Sequence, residues 1–368
     1  MADGTRRFRA PGRVNLMGDH TDYNGGFVLP IAIDRECVVT LVPRYGRPAD
    51  RASAYRADVH ARSLEVPGSV VVPADGSAAP ATVEPAWGRF VAGVVRNISA
   101  HGGVIPPTEL VVSSTVPIGS GLSSSSALTV ACALALTEHT GLALDRIELA
   151  RLALDAEVAA TGVPGGLMDQ LCALLGRAGH ALFIDCRALA IDPVTLPSGI
   201  AILVVHCGMP RVLAGSEYAA RRAECEAIAV RLGIDSLRDA TLEQVANEPR
   251  ARHVVSENAR VLATADALRA GDLATLGASL RASHASLRDD YGVSTPELDL
   301  LVDLLVESGA AGARLTGAGF GGCVVAVAQR NHADNVTAKA ATRYRALTGL
   351  EPTAFVARAV DGASEIFE

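Results

Sequence analysis

The chain has 368 residues, of which 49% are hydrophobic and 20% charged, with a formal net charge of −7 and a pI near 5.7. This composition excludes a disordered chain, and the negative charge excludes the basic surface needed to bind nucleic acid or acidic membranes. The length exceeds what one ordinary hydrophobic core fills, so two domains are expected.

The use of cysteine and lysine indicates the compartment and limits the chemistry. The seven cysteines are odd in number and never spaced C-x-x-C, which favours reduced thiols over a disulfide framework or a zinc site. Residues 1–9 lack the apolar segment of a signal peptide, and no apolar run approaches the roughly 20 residues of a membrane helix. We therefore expect a cytoplasmic protein. Because Lys339 is the single lysine, neutralising a phosphate would fall to arginine, metal and backbone N–H groups.

The first hundred residues combine strand-like segments with one helix. Phe27–Ile33 and Cys37–Val42 are predicted to pair as a hairpin. Residues 46–85, rich in Arg, Ala, Pro and Gly, are predicted to form a variable, partly β surface region. A helix is predicted over Trp87–Ala100.

The stretch from Gly12 to Gly26 concentrates polar groups. It holds one arginine, two carboxylates, a histidine and two asparagines. Such a mixture suits a polyhydroxylated ligand, because each hydroxyl of the ligand needs both donors and acceptors. A solvated loop with an Asx-turn at Asp22 or Asn24 explains the same residues equally well.

A glycine- and serine-rich loop, Gly119–Ser126, is the strongest single signal. It follows the strand-like Leu110–Val112 and precedes a predicted helix, Ala127–His139, which Gly141 is placed to end. A strand, a glycine loop and a helix N-terminus together direct backbone N–H groups and the helix dipole at an anion. The loop does not match G-x-x-x-x-G-K-[ST], so it is a phosphate-binding candidate that lacks the P-loop lysine.

Two further predicted helices, Asp145–Ala160 and Leu167–Leu175, each carry a carboxylate of interest. Glu157 lies near the end of the first helix, and Asp169 lies in the first turn of the second. Taken alone, Glu157 is an ordinary surface residue. Asp169 alone is a charge that stabilises a helix by about 0.3–1 kcal/mol.

The rest of the chain alternates strands and helices, which predicts an α+β protein with domains 1–200 and 201–368. Tyr218 begins the first long helix of this part, in a position where a half-buried packing aromatic is common. The predicted strands are Ala181–Ile184, Ala201–Val205, Cys323–Ala328 and Thr353–Ala357. The predicted helices are Tyr218–Leu232, Val254–Ala270, Leu273–Asp289, Pro296–Ser308 and Ala333–Leu347.

Gly317–Gly322 satisfies the pattern G-x-G-x-x-G. The dinucleotide-binding fingerprint follows a strand and opens a helix, whereas here a strand follows, so the context excludes that assignment. The segment is predicted to be a tight turn between helix and strand that needs left-handed backbone, or a glycine loop that approaches a ligand.

Several motifs in fixed order resemble the galactokinase family of the GHMP kinase superfamily. They are GRVNLMGDHTDYNGGFVLP (12–30), VPIGSGLSSSSA (116–127), GVPGGLMDQ (162–170), SEYAARRAEC (216–225), SLRDDYGVSTPELD (286–299) and GARLTGAGFGGC (312–323). The resemblance extends over nearly the whole chain. It implies a two-domain GHMP kinase fold with mixed sheets and helices and an active site between the lobes.

The resemblance also implies an activity and a set of roles. The activity is the ATP-dependent phosphorylation of a sugar's anomeric hydroxyl, with galactose expected as the sugar and galactose 1-phosphate and ADP as the products. The phosphates of ATP are assigned to Gly119, Ser120, Gly121, Leu122, Ser123, Ser124 and Ser125, and Mg²⁺ to Ser125 and Glu157. Asp169 is assigned as the proton acceptor that faces the anomeric oxygen of the sugar, and Arg13 as the cation beside it. The sugar is assigned to Asp19, His20, Thr21, Asp22, Gly166 and Tyr218. The implied partners are a small sugar and ATP, without nucleic acid or membrane, and the protein is predicted to be a monomer.

Two departures from the family pattern leave the sugar open. The family usually has Glu where this chain has Asp19, a carboxylate about 1.5 Å shorter in reach. Val158 also replaces a histidine that usually follows the metal-binding glutamate. The alternatives to galactose are another galactose-like sugar, a uronic acid or a pentose, and a kinase-like sugar sensor is a further alternative.

Overall fold

The computed structural model describes residues 4–44, 57–209 and 214–367, except for the side chains of 214–216. Within these ranges strands form three sheets and helices pack against them, which confirms the α+β class. Residues 46–56 of the predicted surface region lie outside the described part, and two strands in the remainder confirm its partly β character. None of the described helices is long and apolar enough to cross a membrane.

The first sheet contains the N-terminal strand and receives the last strand of the chain. Its described strands are β1 (Arg6–Asn15), β3 (Pro30–Pro43), β4 (Asp58–Ser63), β5 (Ser69–Pro73), β6 (Thr108–Ser114) and β13 (Ser364–Ile366), in the order β13-β1-β3-β6-β4-β5. β4 runs parallel to β6, and the other described pairs are antiparallel. The sheet thus joins both ends of the described chain.

The predicted hairpin of Phe27–Ile33 with Cys37–Val42 is wrong. Most of both segments lies in the single strand β3, which pairs with β1 along its length. The polar Asp34-Arg35-Glu36 interrupts the apolar pattern and imitates a turn in the sequence. In the sheet these residues lie where the register with β1 shifts, between Pro11 and Arg13. A bulge therefore replaces the expected turn.

Two smaller sheets complete the β structure of the described chain. One has the order β10-β11-β9-β12, with all pairs antiparallel, and the other the order β2-β7-β8. Their strands are β2 (Phe27–Val28), β7 (His180–Asp185), β8 (Ala190–Thr195), β9 (Ile200–His206), β10 (Gly312–Thr316), β11 (Cys323–Gln329) and β12 (Thr353–Ala357). Strands β8 and β10 were not predicted, so Gly317–Gly322 connects two strands and not a helix to a strand.

The helices follow the predicted ones with shifted ends. They are α1 (Gly88–Ala100), α2 (Ser124–Thr140), α3 (Arg146–Thr161), α4 (Met168–Leu175), α5 (Ala214–Leu232), α6 (Pro249–Ala270), α7 (Leu273–Ser286), α8 (Pro296–Glu307) and α9 (Ala333–Thr348). Gly141 ends α2 with φ of 70°, as predicted. Asp145 and Glu148 form a capping box that starts α3. A five-residue π-helical segment, Leu287–Tyr291, extends α7.

The buried apolar residues fall into two clusters. The first lies between the β1-containing sheet and α1–α4, and the second surrounds β9–β12 with α5, α8 and α9. Residues of α6 belong to both clusters, so this helix bridges the two parts. The boundary between domains 1–200 and 201–368 stays a prediction.

A close contact between α1 and α3 generates a stability prediction. A Cβ at Gly93 would lie 2.4 Å from the carbonyl oxygen of Ala156, the neighbour of Glu157. We expect Gly93→Ala to lower the free energy of unfolding by about 1–3 kcal/mol, because backbone atoms must shift. Gly199→Ala is the matched control, since its Cβ would meet no atom within 4 Å. Urea unfolding of both variants measures this, and equal stability of the two would contradict it.

Candidate active site

A cavity of about 380 Å³ collects residues that are distant in sequence. Its lining comes from the N-terminal segment, the serine-rich loop, α3, α4, α5 and the glycine loop after β10, so both halves of the chain contribute. Of the residues proposed from the sequence, it includes Arg13, Asp19, His20, Asp22, Gly119, Gly121, Ser123, Ser124, Ser125, Glu157, Gly166, Asp169 and Tyr218. The size and polarity suit a small polar ligand.

Three proposed residues do not line this cavity. The Thr21 hydroxyl lies within hydrogen-bond distance of the backbone oxygens of Gly18 and Phe27, at 2.7 and 2.6 Å, and its one proton serves these acceptors. The Ser120 hydroxyl donates to the carbonyl oxygen of Pro117 at 2.7 Å. The side chain of Leu122 is buried, and its carbonyl oxygen accepts from the Arg13 N–H. The side chains of these three residues point away from the cavity and stabilise their loops. Of the predicted ligand contacts of Thr21, Ser120 and Leu122, only those through backbone groups fit this arrangement.

The serine-rich loop turns sharply before α2. Gly119 and Gly121 have φ of 71° and 85°, and Ser123 adopts a left-handed φ of 60°, which is uncommon for a residue with a side chain. The helix begins at Ser124, three residues earlier than predicted. The first-turn N–H groups of a helix have no acceptors within the helix, and its dipole favours an anion there. The loop therefore offers backbone donors to a phosphate.

An ion pair closes one side of the cavity. Arg13 Nε and Nη2 donate to the two carboxylate oxygens of Asp169 at 2.7 and 2.8 Å, and Nη1 donates to the Gly121 carbonyl at 2.6 Å. Burial lowers the pKa of Arg13, but the charges of Asp169 and Asp19 raise it above its ordinary value. Ser123 Oγ also donates to Asp169. The phosphate loop thus contacts the carboxylate proposed as the proton acceptor.

Asp22 faces the same ion pair across the cavity. Burial, together with the negative charge of Asp169, raises the pKa of Asp22 to about 7. Gly166 lies directly against this carboxylate, because a Cβ at Gly166 would fall 2.0 Å from Asp22 Oδ2. The glycine therefore leaves the space that the Asp22 side chain fills.

Glu157 and Ser125 form the candidate metal site. Ser125 Oγ donates to Glu157 Oε1, while Ser126 Oγ and Gln170 Nε2 both donate to Oε2 at 2.8 Å. Burial raises the pKa of Glu157, and the two serine hydroxyls oppose that effect. One hydroxyl and one carboxylate fit Mg²⁺, which prefers oxygen ligands and keeps water and phosphate in its shell.

His20 packs among three tyrosines, of which Tyr218 lines the cavity. His20 Nδ1 and the Tyr23 hydroxyl are 2.9 Å apart, and the Tyr23 and Tyr291 hydroxyls are 2.7 Å apart. The Tyr218 ring lies 5.6 Å from the His20 ring, centre to centre. Tyr218 therefore lines the cavity from the first part of α5. The helix begins at Ala214, four residues before the predicted start at Tyr218.

Asp19 is engaged by protein donors. Its Oδ1 accepts from Asn15 Nδ2 at 2.8 Å, and its Oδ2 accepts from the Gly317 N–H at 3.1 Å and from Arg314. Asp19 is only 2% exposed. A direct sugar contact, as predicted for this residue, would have to share these oxygens with Arg314 and Gly317.

A second, more apolar cavity of about 390 Å³ adjoins the first and shares Ser124 and Ser125 with it. Its wall includes Trp87, Phe90 and Val116. The buried Trp87 Nε1 finds no acceptor among the described residues. A flat ligand with a hydrogen-bond acceptor suits this space.

Sequence reasoning missed several residues around the site. Gln170 follows Asp169 in the motif GVPGGLMDQ, and Arg314 lies in the motif GARLTGAGFGGC. Their places in these motifs were the signal that could have identified them. Glu257 carried no local signal, because its partners outside its own helix are 26 or more residues away. Ser126 looked like one more serine of the loop.

Comparisons with known proteins agree with this geometry. The sequence matches the GHMP kinases N terminal domain over residues 89–177, the GHMP kinases C terminal domain over 264–346 and the galactokinase galactose-binding signature over 2–43. The structure is similar to mevalonate kinase of Methanococcus jannaschii, with a TM-score of 0.69, 17% identity and coverage of 98% of this chain and 100% of that one. The fold is therefore that of a GHMP kinase.

More similar relatives narrow the class. The galactokinase of Roseiflexus sp. (strain RS-1) is 44% identical over 98% of this chain and 93% of its own length. The Lactococcus lactis galactokinase complexed with galactose has a TM-score of 0.90 and 30% identity, with coverage of 99% of this chain and 96% of that one. The chain belongs to the galactokinase family.

The environment of Asp22 predicts a pH-dependent stability. A carboxyl whose folded pKa is raised holds its proton longer in the folded state, so stability falls as pH rises towards about 7. Asp22→Asn lacks this ionisation. We expect its unfolding free energy, relative to wild type, to increase from pH 5 to pH 7 and to level off above pH 8. Urea unfolding measures the difference, and a pH-independent difference would contradict the assignment.

Proposed function

We propose that this protein transfers the γ-phosphoryl group of ATP to the anomeric hydroxyl of galactose and releases galactose 1-phosphate and ADP. Two similar proteins are named galactokinases, and one of them is complexed with galactose. The observation that carries the proposal is the contact between Ser123 of the phosphate loop and the Asp169 carboxylate. The loop proposed to bind the phosphates of ATP and the carboxylate proposed to bind the sugar hydroxyl therefore meet within one cavity.

On the side that would bind ATP, the apolar cavity beside Trp87 would hold the adenine. The Trp87 Nε1–H would donate to a ring nitrogen of the adenine. The shared residues Ser124 and Ser125 place the start of α2 between the two cavities. ATP would then reach from the apolar cavity across the loop, with its phosphates against the first-turn N–H groups of α2. This arrangement needs no lysine.

Ser125 and Glu157 would hold Mg²⁺ through their facing oxygens. Bound there, the ion would neutralise phosphate charge and fix the orientation of the polyphosphate. Glu157 would stay ionised beside the ion even though burial alone raises its pKa.

On the acceptor side, Asp169 would orient the anomeric hydroxyl and accept its proton as the O1–P bond forms and the bond to the ADP oxygen breaks. The transition state of phosphoryl transfer is loose, so alignment and charge neutralisation matter more than a strong base. Arg13 would hold Asp169 in place through its two-pronged contact and add positive charge near the transferred group.

The galactose hydroxyls would meet Asp22, His20 and Tyr218, with Gly166 leaving the necessary space. The resemblance assigns Asp19 to the same set, and its contacts with Arg314 and Gly317 instead favour a supporting role. The predicted monomeric state and cytoplasmic location remain predictions.

Replacement of the proposed proton acceptor is the first functional test. We expect Asp169→Asn to lower kcat by about 10²–10⁴-fold, because general base catalysis contributes that much, while calorimetry still detects binding of galactose. Asp155→Asn, on the exposed face of α3, is the matched control. Unchanged turnover in Asp169→Asn would refute its role as the proton acceptor.

Gly166 provides a steric test of the sugar site. We expect Gly166→Ala to raise the KM for galactose at least about tenfold, or about 1.4 kcal/mol, because the new Cβ displaces the Asp22 carboxylate. The neighbouring Gly165→Ala is the control, since its Cβ would meet only the flexible end of Leu154 at 3.3 Å. Equal KM values for the two variants would argue against a sugar beside Asp22.

A sugar panel tests the acceptor. With ATP and Mg²⁺, we expect kcat/KM for galactose to exceed that for galacturonic acid or L-arabinose at least about tenfold, since each differs from galactose only in the substituent on C5. Release of ADP measures turnover. A higher kcat/KM for galacturonic acid or L-arabinose would replace galactose by that sugar as the substrate.

A further inference from the structure

The two oxygens of the Glu157 carboxylate have different environments. Oε1 accepts from Ser125 Oγ, in the candidate metal site. Oε2 accepts from Ser126 Oγ and from Gln170 Nε2, both at 2.8 Å, and these two donors are 3.4 Å apart. The carboxylate is therefore held at one oxygen, and the other oxygen faces Ser125.

Ser125 and Ser126 are neighbours in α2 and serve different sides of the helix. Consecutive helical residues differ by roughly 100° in direction, since a turn has about 3.6 residues. Both serines line the first cavity, but Ser125 is partly exposed and also lines the second, whereas Ser126 is 1% exposed. The buried Ser126 hydroxyl donates to Glu157 Oε2 on the inner side of the carboxylate.

Gln170 approaches the same oxygen from α4. It is 1% exposed, and its amide oxygen has no partner among the described residues, so its Nε2 contact with Glu157 is its main polar interaction. Asp169 precedes it in the chain. A single turn of α4 thus carries the proposed proton acceptor and a donor to the proposed metal ligand.

We propose that Ser126 and Gln170 are positioning residues that hold Glu157 Oε2, so that Oε1 is presented beside Ser125 for the metal ion of the ATP complex. This inference rests on the proposed function, because it takes Glu157 as a metal ligand. Donors that orient a metal-binding carboxylate typically contribute about 10–100-fold to metal affinity. Through Gln170 they also tie the metal site to the helix of Asp169.

The experiment separates metal binding from catalysis. The ATP dissociation constant is measured by calorimetry without sugar, once with saturating Mg²⁺ and once with EDTA. The constant in EDTA divided by the constant in Mg²⁺ is the ratio that reports how much the metal strengthens ATP binding. The variants are Ser126→Ala, Gln170→Met and Glu157→Gln. Thr137→Val is the matched control, because it removes a buried hydroxyl of α2 that bonds only to carbonyls of its own helix. Thermal unfolding confirms that each variant is folded.

We expect Ser126→Ala and Gln170→Met to lower the ratio at least about tenfold, with ATP binding in EDTA close to wild type and Thr137→Val unchanged. A low ratio in Glu157→Gln together with wild-type ratios in Ser126→Ala and Gln170→Met would overturn the positioning role and leave the proposed function intact. Wild-type ratios in all variants would overturn both the metal role of Glu157 and this inference.

Discussion

A buried cluster of charges holds the two halves of the cleft together. Arg314, fully buried, lies between the carboxylates of Asp19 and Glu257, and Arg260 supplies a second positive charge to Glu257. Asp19 also accepts from the Gly317 N–H. Removing one member would leave a desolvated charge without its partner, which typically costs about 3–5 kcal/mol. This cluster therefore holds in position the turn that contains Asp19 and the glycine loop after β10.

A series of polar contacts also extends across the cavity. Arg13 binds Asp169, Ser123 of the phosphate loop donates to the same carboxylate, and two residues later Ser125 contacts Glu157. The candidate metal site and the candidate proton acceptor are thus linked through one turn of loop. Phosphoryl transfer depends on alignment and charge more than on covalent help. In this chain, which has one lysine, the proposed site would use arginine, hydroxyls and backbone N–H groups for both.

Local signals in the sequence predicted most helices and the turn of the serine-rich loop before α2, because caps and turns are determined by neighbouring residues. Gly141 ended α2 as expected. The β3 strand was missed, because pairing with β1 and a bulge override the polar Asp34-Arg35-Glu36. In the site, the motifs located Asp169 and Glu157. The hydrogen bonds of Gln170 and the ion pair of Glu257 with Arg314 depend on tertiary packing, which no local pattern reports.

The central claim is that the cleft directs a phosphoryl group onto the anomeric oxygen beside Asp169. The most direct measurement is phosphorus-31 NMR of the product formed from ATP, Mg²⁺ and galactose labelled with carbon-13 at C1. The account predicts one phosphate monoester whose phosphorus signal is split by coupling to the labelled carbon through the bridging oxygen. A monoester without this splitting, or no ester at all, would contradict it.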